Sequence, residues 1–221
     1  MASINVFGSP TSTEVARVLA CLFEKNVEFQ LIRVDGFKGA HRKKDYLKQQ
    51  STGQALTYEE GKTTLVDSRA ICRHVSKKFA EQGNKDLLGI GTLERASIEQ
   101  WLQTEENSFN VPSSNLVFHL AVSPDMRDKH DDAVIEDSKN KLLSVLEFYE
   151  RRLEETSFLA GDNFTLADLS HLPNAQCIMN TDYASMFMSK KKVREWWEKI
   201  SSRPSWRRVV AMQKVSMPVA N

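Results

Sequence analysis

The sequence predicts an α/β N-terminal domain followed by an all-α C-terminal domain, and three observations carry that prediction. Short apolar runs of strand character alternate with helical periodicity up to about Leu65. A polar stretch, Glu81-Gln82-Gly83-Asn84-Lys85, then interrupts the chain, and beyond it the apolar repeats keep helical spacing with no convincing strand. The expected division is a first domain at 1–81, a linker at 82–90 and a helical domain at 91–221.

Ile4-Asn5-Val6-Phe7 reads as a strand, Thr13 to Glu24 carries Val15, Val18, Leu19 and Leu22 at helical spacing, and Phe29 to Val34 reads as a second strand. Together they form a β-α-β unit. A short basic helix is expected around Lys43 to Gln49. Ala55 to Tyr58 and Thr63 to Val66 are extended runs on either side of Gly61, which marks a hairpin. The next helix runs through Ile71, Val75 and Phe79, and its start, Asp67-Ser68-Arg69-Ala70-Ile71, sets a carboxylate, a hydroxyl and a guanidinium side by side. Ser68 is read as the N-cap, which aims backbone N–H groups and the positive end of the dipole at a bound carboxylate, while Asp67 suits a ligand ammonium group. The plainer reading is an ordinary capped helix with an arginine in its first turn.

In the second half the helices are expected at roughly 92–111, 131–155, 165–180 and 190–213. Thr165 and Asp168 have the spacing of a capping box, with Phe164 and Leu169 placed for a hydrophobic staple, which is a folding signal that needs no ligand. Trp101, Trp196, Trp197 and Trp206 read as core or interface anchors.

Composition narrows the class further. The chain has 221 residues, 41% hydrophobic and 27% charged, enough to bury a substantial core. A formal net charge of +1 makes no long-range field that would gather nucleic acid, and Lys190-Lys191-Lys192 reads as a solvated face. No apolar stretch reaches bilayer length and Met1 to Asn5 lacks the features of a secretory leader, so no membrane association is expected and the expected location is cytoplasmic. Cys21, Cys72 and Cys177 are far apart and odd in number, which argues for buried thiols rather than disulfides. His74 and His171 fall in helical patterns and His119 and His130 near helix ends, none with a close partner, so no metal site is expected.

A small α/β domain followed by a helical domain containing Gly161-Asp162-Asn163-Phe164-Thr165-Leu166-Ala167-Asp168 resembles the cytosolic glutathione transferases. Within that family the chain is most similar to the plant phi class, through Val6-Phe7-Gly8, Ser12, Glu24-Lys25-Asn26, Gly39-Ala40-His41, Gly53-Gln54 and Asp67-Ser68-Arg69-Ala70-Ile71 in the family's order and spacing. The resemblance covers nearly the whole chain. It implies a thioredoxin-like domain that binds glutathione and an all-α helical domain that contributes the hydrophobic substrate site. It also implies a homodimer, no permanently bound cofactor, and glutathione as co-substrate for conjugation to hydrophobic electrophiles or reduction of hydroperoxides.

By the same resemblance Ser12 is the catalytic group, a hydroxyl at a helix N-terminus that donates to the cysteinyl sulfur and, with the dipole, favours thiolate. A free thiol of pKa about 8.5 is only a few per cent ionised at neutral pH, so each unit of depression raises the reactive fraction up to about tenfold. A plain helix cap is the other reading of Ser12; Thr11 and Thr13 either share its role or line the pocket. Asp67 and Ser68 would bind the γ-glutamyl end, His41 with Arg42 the glycine carboxylate, and Gln54 with the Ala55 backbone the middle of the tripeptide. His41 also reads as a surface residue of the basic run His41-Arg42-Lys43-Lys44. Arg69 is expected to brace the helix end through a buried ion pair. Phe37, Phe118 and Val122 are candidate walls for the electrophile, and Phe118 reads equally as core.

Two departures from the family pattern bear on activity. Asp67 stands where Glu is more usual, which shortens the carboxylate's reach by one methylene. More sharply, Gln50-Ser51-Thr52-Gly53-Gln54-Ala55-Leu56 stands where the family has Asn-Pro-Phe-Gly-Gln-x-Pro, whose last proline is cis. A cis bond before Leu costs about 2.5 to 4 kcal/mol against about 0.5 to 1 before proline, so a trans Ala55–Leu56 bond is expected. Keeping the family geometry would cost about 2 to 3 kcal/mol extra, enough to weaken glutathione binding roughly 30- to 100-fold. Two functions follow: a glutathione transferase with weakened glutathione binding, favoured by Ser12, His41, Gln54, Asp67 and Ser68, and a ligandin-like carrier of planar hydrophobic molecules, favoured by Leu56.

Overall fold

The computed structural model describes residues 3–33, 56–121 and 131–215. The predicted basic helix, Phe37, His41, Arg42, Gln54, Ala55 and Val122 lie outside the described residues, as does the first half of the Ala55–Leu56 bond. Two compact units divide the chain: one takes the segment up to Lys85 together with the segment from Pro204, the other Asp86–Arg203.

In the first unit β1 (Ile4–Phe7), α1 (Thr13–Glu24) and β2 (Gln30–Ile32) form the expected β-α-β crossover, followed by β3 (Thr57–Glu60), β4 (Thr63–Leu65) and α2 (Ser68–Lys78). The sheet order is β2-β1-β3-β4. Val6 lies opposite Leu31 in the parallel β1–β2 pair and opposite Tyr58 in the antiparallel β1–β3 pair, so this is the mixed sheet of a thioredoxin-like domain. Gly61 turns the β3–β4 hairpin at a φ of +60°, a conformation that glycine reaches without cost. Residues Val15 to Leu22 of α1 are all buried, because this helix is covered on several sides at once. Leu56, just ahead of β3, has no exposed surface and belongs to the core.

The second unit is helical: α3 (Thr92–Thr104), a π turn (Glu105–Phe109), α4 (Asn110–Ala121), α5 (Asp132–Glu155), α6 (Leu166–Leu169), α7 (Leu172–Met179), a 3₁₀ turn (Asp182–Ala184), α8 (Ser185–Met188) and α9 (Lys191–Ser201). Trp101, Phe109, Leu146, Tyr149, Phe187 and Trp196 are among its buried side chains. The capping box forms as expected: Thr165 Oγ1 accepts from the Ala167 N–H at 3.2 Å and Asp168 Oδ2 from the Thr165 N–H at 3.1 Å. Asp168 Oδ1 accepts from the Leu159 N–H at 3.0 Å and from Trp196 Nε1 at 2.9 Å, so one buried carboxylate joins three segments.

Three helices differ from expectation, each at a proline. The helix read as 92–111 continues to Ala121 through the π turn, where the Asn110 N–H reaches back to the Glu105 carbonyl. Pro112 is tolerated there because the bond it lacks falls where the ladder has already shifted register. The helix read as 165–180 breaks over Ser170-His171, where Pro173 has no N–H to give the Leu169 carbonyl and sits in the first turn of the next helix; the one read as 190–213 breaks before Pro204, since proline disfavours helical backbone in the residue ahead of it.

The last segment, α10 (Pro204–Val215), is grouped with the first unit, whereas the expected division placed it in the helical domain. Its Ser205 hydroxyl donates to the Glu24 carboxylate, its Arg208 guanidinium lies 4.0 Å from the Phe23 ring centroid, and Trp206 and Val209 are buried. Amphipathic periodicity shows that a helix needs a partner without showing which one.

Smaller corrections concern single side chains. Cys21 and Cys72 are buried as expected, but Cys177 is partly exposed. Lys190 pairs with Glu147 instead of lying free on a solvated face. Among the described residues no cluster of His, Cys, Asp or Glu is suited to a metal ion, and no helix is long and apolar enough to cross a membrane.

Candidate active site

Four contacts set α1 against α2 in one register. Arg17 Nη1 donates to Ser68 Oγ at 2.8 Å, Cys72 Sγ to the Arg17 carbonyl at 3.7 Å, Cys21 Sγ to the Cys72 carbonyl at 3.6 Å, and Cys21 Sγ meets Ser76 Oγ at 3.4 Å. Partner numbers rise together along both helices, so the helices run parallel. Both N-terminal ends, with the positive ends of their dipoles, therefore face the same side of the unit, which is an arrangement that attracts anions.

Ser12 sits at the first of these ends. The chain leaves β1 through Gly8, at a φ of +144°, and the Gly8 N–H is held by the Ile32 carbonyl at 3.1 Å. A turn over Ser9 to Ser12 follows, closed by the Ser12 N–H and the Ser9 carbonyl at 2.9 Å. Ser12 is the extended N-cap of α1, and its carbonyl accepts the Ala16 N–H at 2.9 Å, but its side chain makes no cap bond. The plain-cap reading of Ser12 thus fails at its defining contact, and the hydroxyl is uncommitted to the helix. Thr11 Oγ1 is instead bonded to Ser9 Oγ at 2.8 Å, so it is already engaged within the turn. Thr13 is the first residue of α1.

At the start of α2 the cap is Asp67 rather than the predicted Ser68. Asp67 has extended backbone, and its Oδ1 accepts from the Ala70 N–H at 2.6 Å. Ser68 is the first helical residue and is wholly buried, with its Oγ taken as acceptor by Arg17. Because that oxygen accepts from a cation, the Ser68 proton is directed to some other acceptor. Arg17, itself only 2% exposed, is the site residue that sequence reading missed. Its signal was visible, a charge inside the otherwise apolar run Val15 to Leu22, and a buried guanidinium demands polar partners. Arg69 is also buried.

Cys72, buried beside this site, is no candidate for a reactive thiolate. Burial pushes the Cys72 thiol well above the usual range and Cys21 pushes it the same way, while Arg17 and Arg69 pull it down without reversing the direction. It stays protonated, and a protonated thiol is a weak nucleophile. Phe118, in the second unit, is 53% exposed, which removes the core reading of that residue. A polar cleft of about 220 Å³, also in the second unit, is lined by Glu155, Asp162, Lys192, Glu195 and Lys199 and holds none of the predicted site residues.

The family model described as glutathione S-transferase, N-terminal domain, matches residues 2–77, and the one described as glutathione S-transferase, C-terminal domain, matches residues 113–204. The chain belongs to the glutathione S-transferase family, phi class. It is 39% identical over 210 residues to glutathione S-transferase F12 of Arabidopsis thaliana, covering 95% of this chain and 98% of that one. Glutathione S-transferase PARB of Nicotiana tabacum is 36% identical, over 92% of this chain and 95% of its own length. The crystal structure of glutathione transferase F2 from Populus trichocarpa superposes with a TM-score of 0.91 at 48% identity, covering 96% of this chain and all of that one. Glutathione S-transferase I from maize, solved with an atrazine glutathione conjugate, superposes with a TM-score of 0.87 at 29% identity, over 98% of this chain and 100% of that one. A transferase of this family is an enzyme of group transfer to glutathione, and the thioredoxin-like and helical parts of the chain are its two domains.

Proposed function

We propose that the protein conjugates the thiol of glutathione to hydrophobic electrophiles, with Ser12 as the group that activates the thiol. The observation that carries this reading is the Ser12 hydroxyl, at the N-terminus of α1 yet unused by its cap. The hydroxyl donates to the cysteinyl sulfur, and the parallel ends of α1 and α2 add positive potential, so the thiol gives up its proton to water below its ordinary pKa. The thiolate sulfur then bonds to the electrophilic carbon while the bond to the leaving group breaks and that group departs as an anion.

The peptide's charged ends suit the remaining residues. One oxygen of Asp67 is used by the cap, leaving the other for the ligand ammonium group, and Ser68 with Arg17 behind it serves the neighbouring carboxylate. His41 with Arg42 takes the glycine carboxylate and Gln54 with the Ala55 backbone the middle of the peptide. Thr13, Phe37, Phe118 and Val122 line the electrophile's side. The loss of proline at Leu56 weakens glutathione binding without abolishing it, and the active species is a two-fold homodimer. Support for the electrophile class comes from the maize relative, which was solved with an atrazine glutathione conjugate.

Ser12→Ala tests this reading with an activated aryl chloride as electrophile. Loss of one preorganised donor should lower turnover about 10²-fold while calorimetry shows glutathione affinity within a few-fold of the parent. Unchanged turnover would reject Ser12. Leu56 keeps the carrier as a second reading: it is selected if glutathione does not bind up to low millimolar concentration while a planar hydrophobic dye still does. Sedimentation at the mass of a single 25.2 kDa chain at micromolar concentration would remove the dimer.

A further inference from the structure

The turn that presents Ser12 is met by a side chain from far along the chain. Gln213 Nε2, in the last turn of α10, donates to the Pro10 carbonyl at 2.9 Å, across 203 residues of sequence. Within the turn closed by the Ser12 N–H and the Ser9 carbonyl, Pro10 and Thr11 are the two central residues, so the Pro10 carbonyl belongs to the central peptide. Rotation of that peptide changes ψ of Pro10 and φ of Thr11, the backbone that leads into Ser12.

Two local features already favour one orientation. Thr11 keeps a negative φ, as a β-branched residue should, and its N–H lies 3.4 Å from Ser9 Oγ. Both act inside the turn and neither ties it to a rigid body. Gln213 supplies that tie, because α10 is fixed along α1 by the Ser205–Glu24 bond, the Arg208–Phe23 contact and buried Trp206 and Val209. Ser205 meets the C-terminal end of α1 and Gln213 the turn ahead of its N-terminal end, so α10 runs antiparallel to α1 and clamps it along its length.

We infer that Gln213 is a positioning residue for catalysis: its amide holds the Pro10–Thr11 peptide so that the Ser12 hydroxyl is set in place before glutathione binds. The inference rests on the reading of Ser12 as the thiol-activating group. A displacement of about 1 Å at such a group can cost about 10² in rate, whereas the bond lies in the turn and not on the charged ends that hold the peptide.

The test uses Gln213→Met, of similar length but without a donor, and Gln213→Lys, which restores an N–H donor of similar reach. In the full-length protein, Gln213→Met should lower kcat about 5- to 50-fold with glutathione affinity by calorimetry within about twofold, and it should shift the rising limb of the pH profile of kcat/KM to higher pH. Gln213→Lys should recover most of kcat. In a Ser12→Ala background Gln213→Met should add less than about twofold, since the group it positions is gone. A purely structural role predicts a lower thermal midpoint for Gln213→Met with an unmoved pH profile, and that result overturns the inference. If Ser12→Ala lowers turnover but Gln213→Met leaves kcat and the pH profile unchanged, the inference falls and the Ser12 reading stands. If Ser12→Ala leaves turnover unchanged, both fall.

Discussion

Arg17 Nη1 donates to Ser68 Oγ across 2.8 Å, and both side chains are buried between two parallel helices. This contact joins the frame of the first unit to its chemistry. As a bond from a charged donor it contributes about 1.5 to 3 kcal/mol to stability, and as the partner of Ser68 it decides where the serine proton goes. Arg17→Met keeps much of the buried stem and removes the donor. The variant should lose about that much stability in chemical denaturation and bind glutathione several-fold more weakly. Full affinity in a folded Arg17→Met protein would confine Arg17 to a structural job.

Asp168 should be the more costly residue to lose in the second unit. Burial pushes its carboxyl above the usual carboxylate range, against the pull of the N–H groups of Leu159 and Thr165 and the indole of Trp196. Asp168→Ala abandons those donors in the interior and breaks the capping box. A loss of about 2 to 5 kcal/mol is expected, read as a lower thermal midpoint. Thr165→Ala, which removes one side of the box, should cost about 1 kcal/mol.

How much of this was legible in the sequence depends on how local each signal is. The alternation over Ile4 to Phe7, the helical spacing over Thr13 to Glu24 and the Thr165–Asp168 pair are all decided within a few residues, and all appear where expected. The start of α2 was placed but its cap was not: Asp67 and Ser68 are both good caps and adjacent, and only backbone geometry distinguishes them. The continuation of the helix past residue 111 to Ala121 was missed because the π turn over Glu105–Phe109 shifts the apolar repeat out of phase. What periodicity could not carry at all were partners: Ser68 for Arg17 and Pro10 for Gln213 are chosen by the fold, 51 and 203 residues away.

Gly83 is a position where backbone conformation should forbid any side chain. Its φ is +54°, and a Cβ there would stand 2.2 Å from the Glu24 carbonyl oxygen and 2.7 Å from the Lys25 carbonyl carbon. Those are backbone atoms at the end of α1, and the Asn84 N–H bonds the same Glu24 carbonyl at 2.8 Å. Gly83→Ala should therefore destabilise the first unit by about 2 to 4 kcal/mol, the left-handed conformation and the clash each contributing. Calorimetry showing an unchanged unfolding midpoint would count against this.

Glu60 sets a modest pH dependence. Burial pushes its pKa up, but bonds from Lys78 and His74 more than offset this and leave it below the usual range. Lys78 Nζ is 2.8 Å and His74 Nε2 3.0 Å from its carboxylate. A carboxyl whose folded pKa is depressed stabilises the fold above its unfolded value of about 4.3, and that contribution disappears as pH falls through the lower folded value. Both partners are more than a third exposed, so at pH 7 Glu60→Gln should cost no more than about 1 kcal/mol. The difference between parent and variant should shrink towards zero below pH 4 in urea titrations at the two pH values.

Leu56 sets two effects against each other. Its side chain is completely buried at the entry to β3, where the family carries the proline that presents backbone to glutathione. Leu56→Pro removes the bias against cis, so glutathione should bind more tightly, by up to the roughly 30- to 100-fold that the difference in cis cost allows. The same change replaces a four-carbon core side chain with a smaller ring and should cost about 1 to 3 kcal/mol of stability, partly offset by a stiffer unfolded chain. Tighter binding from a less stable protein is the expected signature, measured by calorimetric titration beside thermal denaturation. Loss of stability with unchanged affinity would show that Gln50 to Gln54 already compensate for the missing proline, and that Leu56 is retained for the core.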